Sequence, residues 1–295
     1  MALLFIGSRE KIYCDMDRLF EIKKMRCSYD KPFVEGQSKV VLEIDKLLIP
    51  RGKKVFIVGE SGIGKSTILE VIGMMNNTVI NEPETVFNFY GEGEDCVDLL
   101  KLWQRNDDSE LSEFRLRHFN FIFQSTNLMR NFTAYENIAI TRLLQGYSLE
   151  ESFDKASGIL KDLGIEGLGV ERNAQELSGG QQQRIAFARA ILPDFTVLFG
   201  DEPTGNLDSE NAMRAMDILS SKLNDIPGSS AVIVSHDMHL AVTFADLVIK
   251  VRKKDEHGYI DELSVFIPNG ERSSWSNGVE SFDSTTFESY LRKKI

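Results

Sequence analysis

At 295 residues the chain is long enough to bury a substantial core, as one large domain or as one domain with a subdomain and tail. Its 34 basic and 45 acidic residues leave a formal charge of −11 with no long Lys/Arg run, so a surface that coats DNA or RNA is disfavoured and no direct nucleic-acid binding is expected. Cys14, Cys27 and Cys96 are widely spaced and odd in number, which points to a reducing compartment and away from a disulfide scaffold or a metal cluster. No apolar stretch reaches the roughly 18 residues that span a bilayer, and the start lacks a signal-peptide pattern; a cytosolic product is expected.

In chain order, residues 19–27 (LFEIKKMRC) and 40–49 (VVLEIDKLLI) alternate apolar and charged positions and predict strands of a partly exposed sheet. Turn chemistry separates them at Asp30-Lys31-Pro32 and Glu35-Gly36-Gln37-Ser38. Residues 54–58 (KVFIV) are almost continuously apolar, as expected of a buried parallel strand. That strand runs into GESGIGKST at residues 59–67 and then into the helical ILEVI, a strand, glycine-rich turn and helix arranged to hold a triphosphate. The backbone of Gly59, Glu60, Ser61, Gly62, Ile63 and Gly64 converges on the phosphates, while Lys65 supplies a point charge. Ser66 offers its hydroxyl to magnesium, and Thr67 continues the helix N-terminus, whose unpaired N–H groups face the same way.

The helix is expected to stop near Asn76 and Asn77. A less regular stretch follows over 82–113, with a strand expected at 86–90, a glycine-acidic turn and a helix over 96–103. Trp103 reads as a packing residue rather than a base platform, because nothing around it supplies cations or further exposed aromatics. Helical periodicity prevails from 134 to 190, with Ser148 and Glu151 forming a capping box. Strand character returns at 196–199, 231–235 and 247–251. A helical insert thus interrupts a strand-and-helix core, the pattern of an α/β domain with an α-helical subdomain. Residues 269–284, rich in Ser, Asn and Gly, read as a linker or mobile tail. A terminal helix over 285–294 is expected to be capped by Thr285 and Glu288; it packs on its own domain, contacts another chain or stays disordered.

A phosphate loop needs a second anchor for magnesium and a way to polarise water. Val197-Leu198-Phe199-Gly200-Asp201-Glu202 supplies both at the end of an apolar strand: Asp201 as the metal contact, through a bound water, and Glu202 as the group that orients or deprotonates the attacking water. Ser178, Gly179, Gly180 and Gln181 open a second helix, giving another phosphate-seeking N-terminus.

Leu177-Ser178-Gly179-Gly180-Gln181-Gln182-Gln183-Arg184, standing shortly before Asp201-Glu202, resembles the signature of ATP-binding cassette (ABC) ATPases. The resemblance covers roughly residues 18–255. It implies a P-loop NTPase core of ABC type with an antiparallel β subdomain and an inserted α-helical subdomain at about 125–190, the whole cassette filling 1–260 and leaving an extension over 261–295, partly flexible with a terminal helix. Gln124, after the strand-like residues 119–123, resembles the glutamine that senses magnesium and the transferred phosphate. Residues 127–133 (NLMRNFT) resemble the segment that meets a membrane partner. Gly205-Asn206-Leu207-Asp208 resembles the loop that crosses the dimer interface, and Asp208 also suits a helix N-cap. His236 resembles the switch histidine at the γ-phosphate; His118, His239 and His257 have no comparable setting. Tyr29 is the leading match to the aromatic that stacks on adenine, with Tyr13 and Phe20 as alternatives.

The family's cofactors are ATP and Mg2+, and its two-fold arrangement places each ATP between one subunit's phosphate loop and the other's signature, so a homodimer is implied. Two mild departures are Ile63, where serine is frequent, and Gly200, where a bulkier or alanine residue is common. The runs around residues 123–128 and 201–208 look like the branch of macrolide-efflux, lipoprotein-releasing, bacteriocin-export and cell-division ATPases. That branch implies separate integral membrane permease subunits, attachment through them to the cytoplasmic face of the inner membrane, and export or mechanotransmission. The alternative is a soluble ABC ATPase of a DNA-maintenance, defence or regulatory complex.

Overall fold

The computed structural model describes residues 17–31, 33–91, 96–165 and 171–293. They form two compact units, one drawn from Met1–Leu111 and Val234–Ile295 and the other from Ser112–Ile233. Tyr13, Cys14, Pro32 and most of the glycine-acidic turn lie outside the described residues.

In the first unit, the alternating runs form antiparallel strands at Arg18–Cys27 and Leu42–Pro50, in register with Met25 opposite Ile44. They sit inside a six-stranded sheet with Val86–Phe89 and Val97–Asp98 on one side and Arg252–Lys254 and His257–Ile260 on the other. Period-two alternation puts Phe20 and Ile22 on one face opposite Phe89 and Phe87, all buried, and Phe20 and Phe89 meet at 5.2 Å. The expected helix over 96–103 begins later, as Leu99–Gln104, because Asp98 caps it by accepting from Leu100 N and Lys101 N.

A second sheet of this unit carries the phosphate loop. Lys54–Val58 pairs in parallel with Leu247–Lys250, with Val55 opposite Leu247, and both are almost wholly buried. The helix after the loop spans Lys65–Ile72, shorter than expected, because Met74 takes a left-handed φ of 56° just beyond Gly73 and turns the chain.

The region read as a linker is folded. Val265–Pro268 pairs antiparallel with Leu247–Lys250, and Ser274–Ser276 and Ser281–Asp283 add two more strands. The Ser and Asn residues that signalled a tail close its turns: Asn269 Oδ1 accepts from Ser273 N and Asn277 Oδ1 from Glu280 N, each at 2.8 Å. A few aromatics give it a core, with Trp275 stacked on Phe287 at 4.9 Å and Phe266 at 5.0 Å from Phe287. The terminal helix is Ser284–Arg292, packed on its own unit through buried Phe287 and Leu291. Its cap is Asp283, which accepts from Thr285 N and Thr286 N, and not Thr285.

In the second unit Phe119–Ile122 and Val197–Asp201 pair in parallel, Phe119 opposite Val197. The helices are Ala134–Leu144, Leu149–Asp162, Gly179–Ile191 and Ser209–Asp225. Ser148 and Glu151 form the expected capping box, and Thr133 and Glu136 form another. No helix among the described residues is long and apolar enough to cross a membrane.

Candidate functional site

The loop at residues 59–64 leaves a buried strand and enters a helix whose N-cap, Gly64, makes no side-chain hydrogen bond. The first-turn N–H groups therefore have no side-chain acceptor from the cap, the condition under which a helix start attracts an anion. Gly64 has φ 95°, and a Cβ there would lie 3.1 Å from Val41 O; both conformation and space require glycine. Lys65 is 5 % exposed, and its Nζ donates to Gly59 O at 3.0 Å and Glu60 O at 2.7 Å, so its charge is held by the loop itself. Ser66 is exposed beside it, whereas Thr67 is buried. Ile63 is buried too, its side chain serving as the loop's apolar foot.

Tyr29 is half-exposed at 52 %, and its hydroxyl lies 2.9 Å from Thr67 Oγ1 and donates to Glu70 Oε2 at 3.2 Å. An aromatic face is thereby tethered beside the start of the loop helix. Phe20, by contrast, is fully buried against Phe89 and offers no face to a base, which removes it as an adenine platform.

Ser235 N donates to Ile57 O at 3.3 Å, which brings the end of one strand beside the loop strand. His236 follows directly, exposed, and lines one cavity with Gly59, Glu60 and Ser61. Asp237 then caps the helix Met238–Phe244. Sequence reasoning missed Gly258: a Cβ there would stand 2.1 Å from Ile63 O, so the loop's backbone rests against a strand that must lack a side chain. A lone glycine among charged residues gives no pattern by which to find it.

In the second unit, Gln124 is exposed just past Phe119–Ile122, with Phe121 and Phe123 stacked at 5.7 Å in front of it. Asp201 ends its strand, and Glu202 has a left-handed φ of 51°, a backbone state disfavoured for a residue with a side chain. The turn bends back so far that a Cβ on Gly200 would lie 3.1 Å from Pro203 Cγ, a tight contact that a larger residue would relieve by shifting the proline ring. Gln183, fully buried, donates through Nε2 to Pro203 O at 2.8 Å and was also missed. Its signal was a third glutamine one turn into the signature helix.

Ser178 caps the helix Gly179–Ile191: its Oγ accepts from Gln181 N at 3.3 Å, while Gln181 Oε1 accepts from Ser178 N at 2.9 Å. The serine's own O–H stays available to donate. Asp208 caps the helix Ser209–Asp225, and the Asn211 N–H and amide hold its carboxyl below the usual carboxylate value. Residues 126–133 are clamped from two sides. Arg189 donates to Thr126 O and Asn127 O, each at 2.9 Å, and buried Asn137 bonds Met129 N, Met129 O and Phe132 O. Met129 and Phe132 nevertheless keep 40 % and 38 % of their surface exposed.

The loop, Tyr29 and His236 thus belong to one unit, and Gln124, Ser178 to Gln181, Asp201, Glu202 and Asp208 to the other. Among the described residues no three His, Cys, Asp or Glu side chains cluster as a metal cage. Ser66, Asp201 and Gln124 all offer oxygen, the donor type magnesium prefers; one carboxylate with substrate phosphates is a usual complement for that ion.

A loop entering an uncapped helix, a strand-end Asp-Glu pair and a serine-capped glycine helix define an ABC ATPase cassette, and the family model described as ABC transporter matches residues 42–205. The chain belongs to that family. It is 38 % identical over 217 residues to the lipoprotein-releasing system ATP-binding protein LolD of Aquifex aeolicus, covering 74 % of this chain and 89 % of that one. It is 34 % identical over 235 residues, 79 % of its length, to the macrolide export ATP-binding/permease protein MacB of Aggregatibacter actinomycetemcomitans, and spans 33 % of that relative. The chain therefore covers about a third of the length of the MacB relatives that it matches. Among solved structures, the dimeric bacterial ABC transporter cassette MJ0796 is similar at 31 % identity and a TM-score of 0.66, over 81 % of this chain and 96 % of that one. Its post-hydrolysis state, bound to ADP and Pi, gives a TM-score of 0.67 at 30 % identity.

Proposed function

We propose that the chain is the ATP-binding and hydrolysing subunit of an ABC transporter complex, in which ATP-driven closure of two copies is coupled to export or mechanotransmission through separate membrane subunits. The observation that carries the reading is the loop at 59–67, with Lys65 fixed by the Gly59 and Glu60 carbonyls at the mouth of an uncapped helix and His236 beside Gly59, Glu60 and Ser61 at the loop's start. Lys65 and the loop N–H groups bind the outer phosphates, Tyr29 packs on adenine, and His236 donates toward the γ-phosphate. Ser178, Gly179, Gly180 and Gln181 of the second copy close on the same nucleotide, with the second copy's Asp208 at the interface.

Ser66, Asp201 and Gln124 would hold the magnesium ion, which when bound neutralises phosphate charge. Glu202 orients the water: its oxygen attacks the γ-phosphorus, the bond to the ADP oxygen breaks, and Glu202 accepts the proton that the water gives up. The left-handed backbone of Glu202 supports this role, since strain of that kind persists where the side chain's direction matters.

For the partner, the support is the clamped segment 126–133, which presents exposed Met129 and Phe132 near a groove of about 480 Å³ lined by Asn127, Leu128 and Arg130. A fixed backbone with apolar side chains outward fits a membrane subunit's cytoplasmic element, which would hold the cassette at the cytoplasmic face of the inner membrane. Two measurements test the reading. Glu202→Gln should retain ATP binding and lose turnover, and turnover equal to wild type overturns the mechanism. Purification from detergent-solubilised membranes should bring a stoichiometric membrane protein; association with soluble proteins alone overturns the transporter assignment.

A further inference from the structure

Residues 250–253 and the end of the terminal helix, all beyond the family-matched residues 42–205, line a cavity of about 500 Å³. Lys250, Arg252, Lys253, Arg292 and Lys293 line it, and among the described lining residues Glu60 is the single carboxylate. Such a concentration of positive charge stands out in a chain whose net charge is −11. Two of these cations are already matched, Arg252 by Asp261 and Arg292 by Glu288 at 2.7 Å. Lys253 reaches only Glu256, at 3.8 Å across open surface.

Lys250 is the unusual member. Although it is only 4 % exposed, its Nζ donates to backbone carbonyls, Tyr290 O at 2.9 Å and Lys293 O at 3.4 Å, and lies 4.0 Å over the Tyr290 ring. Neutral carbonyls and a π face hold a buried ammonium without cancelling its charge, so an anion arriving in the cavity gains a charge already stripped of water. Burial, joined by the field of Lys293, pushes the Lys250 ammonium down to about 8 against the fields of Glu280 and Glu60, which favour the charge.

We propose that this cavity is a second anion site, built by the C-terminal segment, for a small phosphate-bearing ligand of pyrophosphate size. It adjoins the nucleotide's phosphate cradle and shares Gly59, Glu60, Ser61, Ile63 and His236 with it, but its cations lie within residues 250–253 and 292–293, and Lys65, Ser66 and Thr67 do not line it. Several ammonium and guanidinium groups lining one cavity suit a ligand with two or more negative oxygens, which can engage more than one cation at once. Since His236, Glu60 and Ser61 also line the cavity, its occupancy is felt at the edge of the nucleotide loop.

Isothermal titration with inorganic pyrophosphate tests the proposal. The wild-type chain should take up two equivalents, one at the loop and one in the cavity. Lys65→Ala should keep the second, and Arg292→Ala with Lys293→Ala should weaken it by at least about tenfold while ATP affinity is preserved, as expected for two charge-assisted contacts. Loss of all pyrophosphate binding in Lys65→Ala, with its thermal unfolding unchanged, overturns the proposal. So does a loss of less than about fivefold in the double variant, since both of its changes are at exposed positions outside the loop. Failure of wild-type protein to bind ATP would instead strike the nucleotide reading and leave the pyrophosphate result to stand by itself.

Discussion

Gln183 Nε2 donates to the Pro203 carbonyl at 2.8 Å, tying the turn that carries Glu202 to the helix that Ser178 begins. Both groups are buried, so neither finds water if the bond is cut. Gln183→Leu should cost about 1–3 kcal/mol of stability through the orphaned carbonyl. Its larger effect should be on chemistry, because a turn displaced by an ångström moves the Glu202 carboxylate: kcat for ATP should fall roughly tenfold to a hundredfold with KM little changed. Steady-state kinetics checks the split, and a change confined to KM contradicts it.

Gly258 predicts a different phenotype. With a Cβ placed 2.1 Å from Ile63 O, Gly258→Ala forces the loop or its supporting strand to move. ATP should bind about tenfold more weakly, a loss of the order expected when preorganised backbone donors are misaligned. Nucleotide titration by fluorescence would read it, with circular dichroism showing the fold retained.

The clamp on the segment 126–133 separates coupling from hydrolysis. Asn137→Ala removes a buried side chain that bonds Met129 N, Met129 O, Phe132 O and Thr133 O. The isolated chain should keep its ATP turnover, lose about 1–3 kcal/mol of stability, and no longer respond to its membrane partner. Comparing turnover with and without the co-purified partner decides this; an undiminished partner effect contradicts the assignment of that surface.

Lys250 gives a pH signature. Its pKa is depressed to about 8 from the usual lysine value of 10.5, so between these limits the unfolded chain binds more protons than the folded one. Stability contributed by this group therefore rises with pH from about 8 to 10.5, and below 8 its burial opposes folding. Urea midpoints at pH 8 and 10 should show wild type gaining on Lys250→Met over that interval. An identical pH response in the two proteins removes the effect.

The loop, the strand-end carboxylates and the capped helices at Ser148 and Ser178 were legible because each is a local pattern whose chemistry lies within a few neighbouring residues. Tyr29 is a reading from the family resemblance and its place after an alternating strand, and the burial of Phe20 removes a competitor that only pairing with Phe89 reveals. Gly258 and Gln183 were illegible because their partners, Ile63 and Pro203, are far along the chain or approached through a turn. The tail misled for a compositional reason: its Ser and Asn residues close turns, and Trp275, Phe282 and Phe287 are too sparse to show a period, yet they suffice to nucleate a core.

The strand Leu247–Lys250 has a neighbour on each side, Lys54–Val58 and Val265–Pro268. Without the residues that follow it, one flank of this fully buried strand would present bare N–H and C=O groups along LVIK, a template for pairing with any other unfinished copy. The extra strands move that raw border outward to the short, serine-bounded Ser281–Asp283, where the terminal helix packs in turn. A version of the protein cut near residue 261 should accordingly be sticky in solution even if its nucleotide loop is intact, and its aggregation should be read as an exposed sheet border, not as a failure of the cassette to fold.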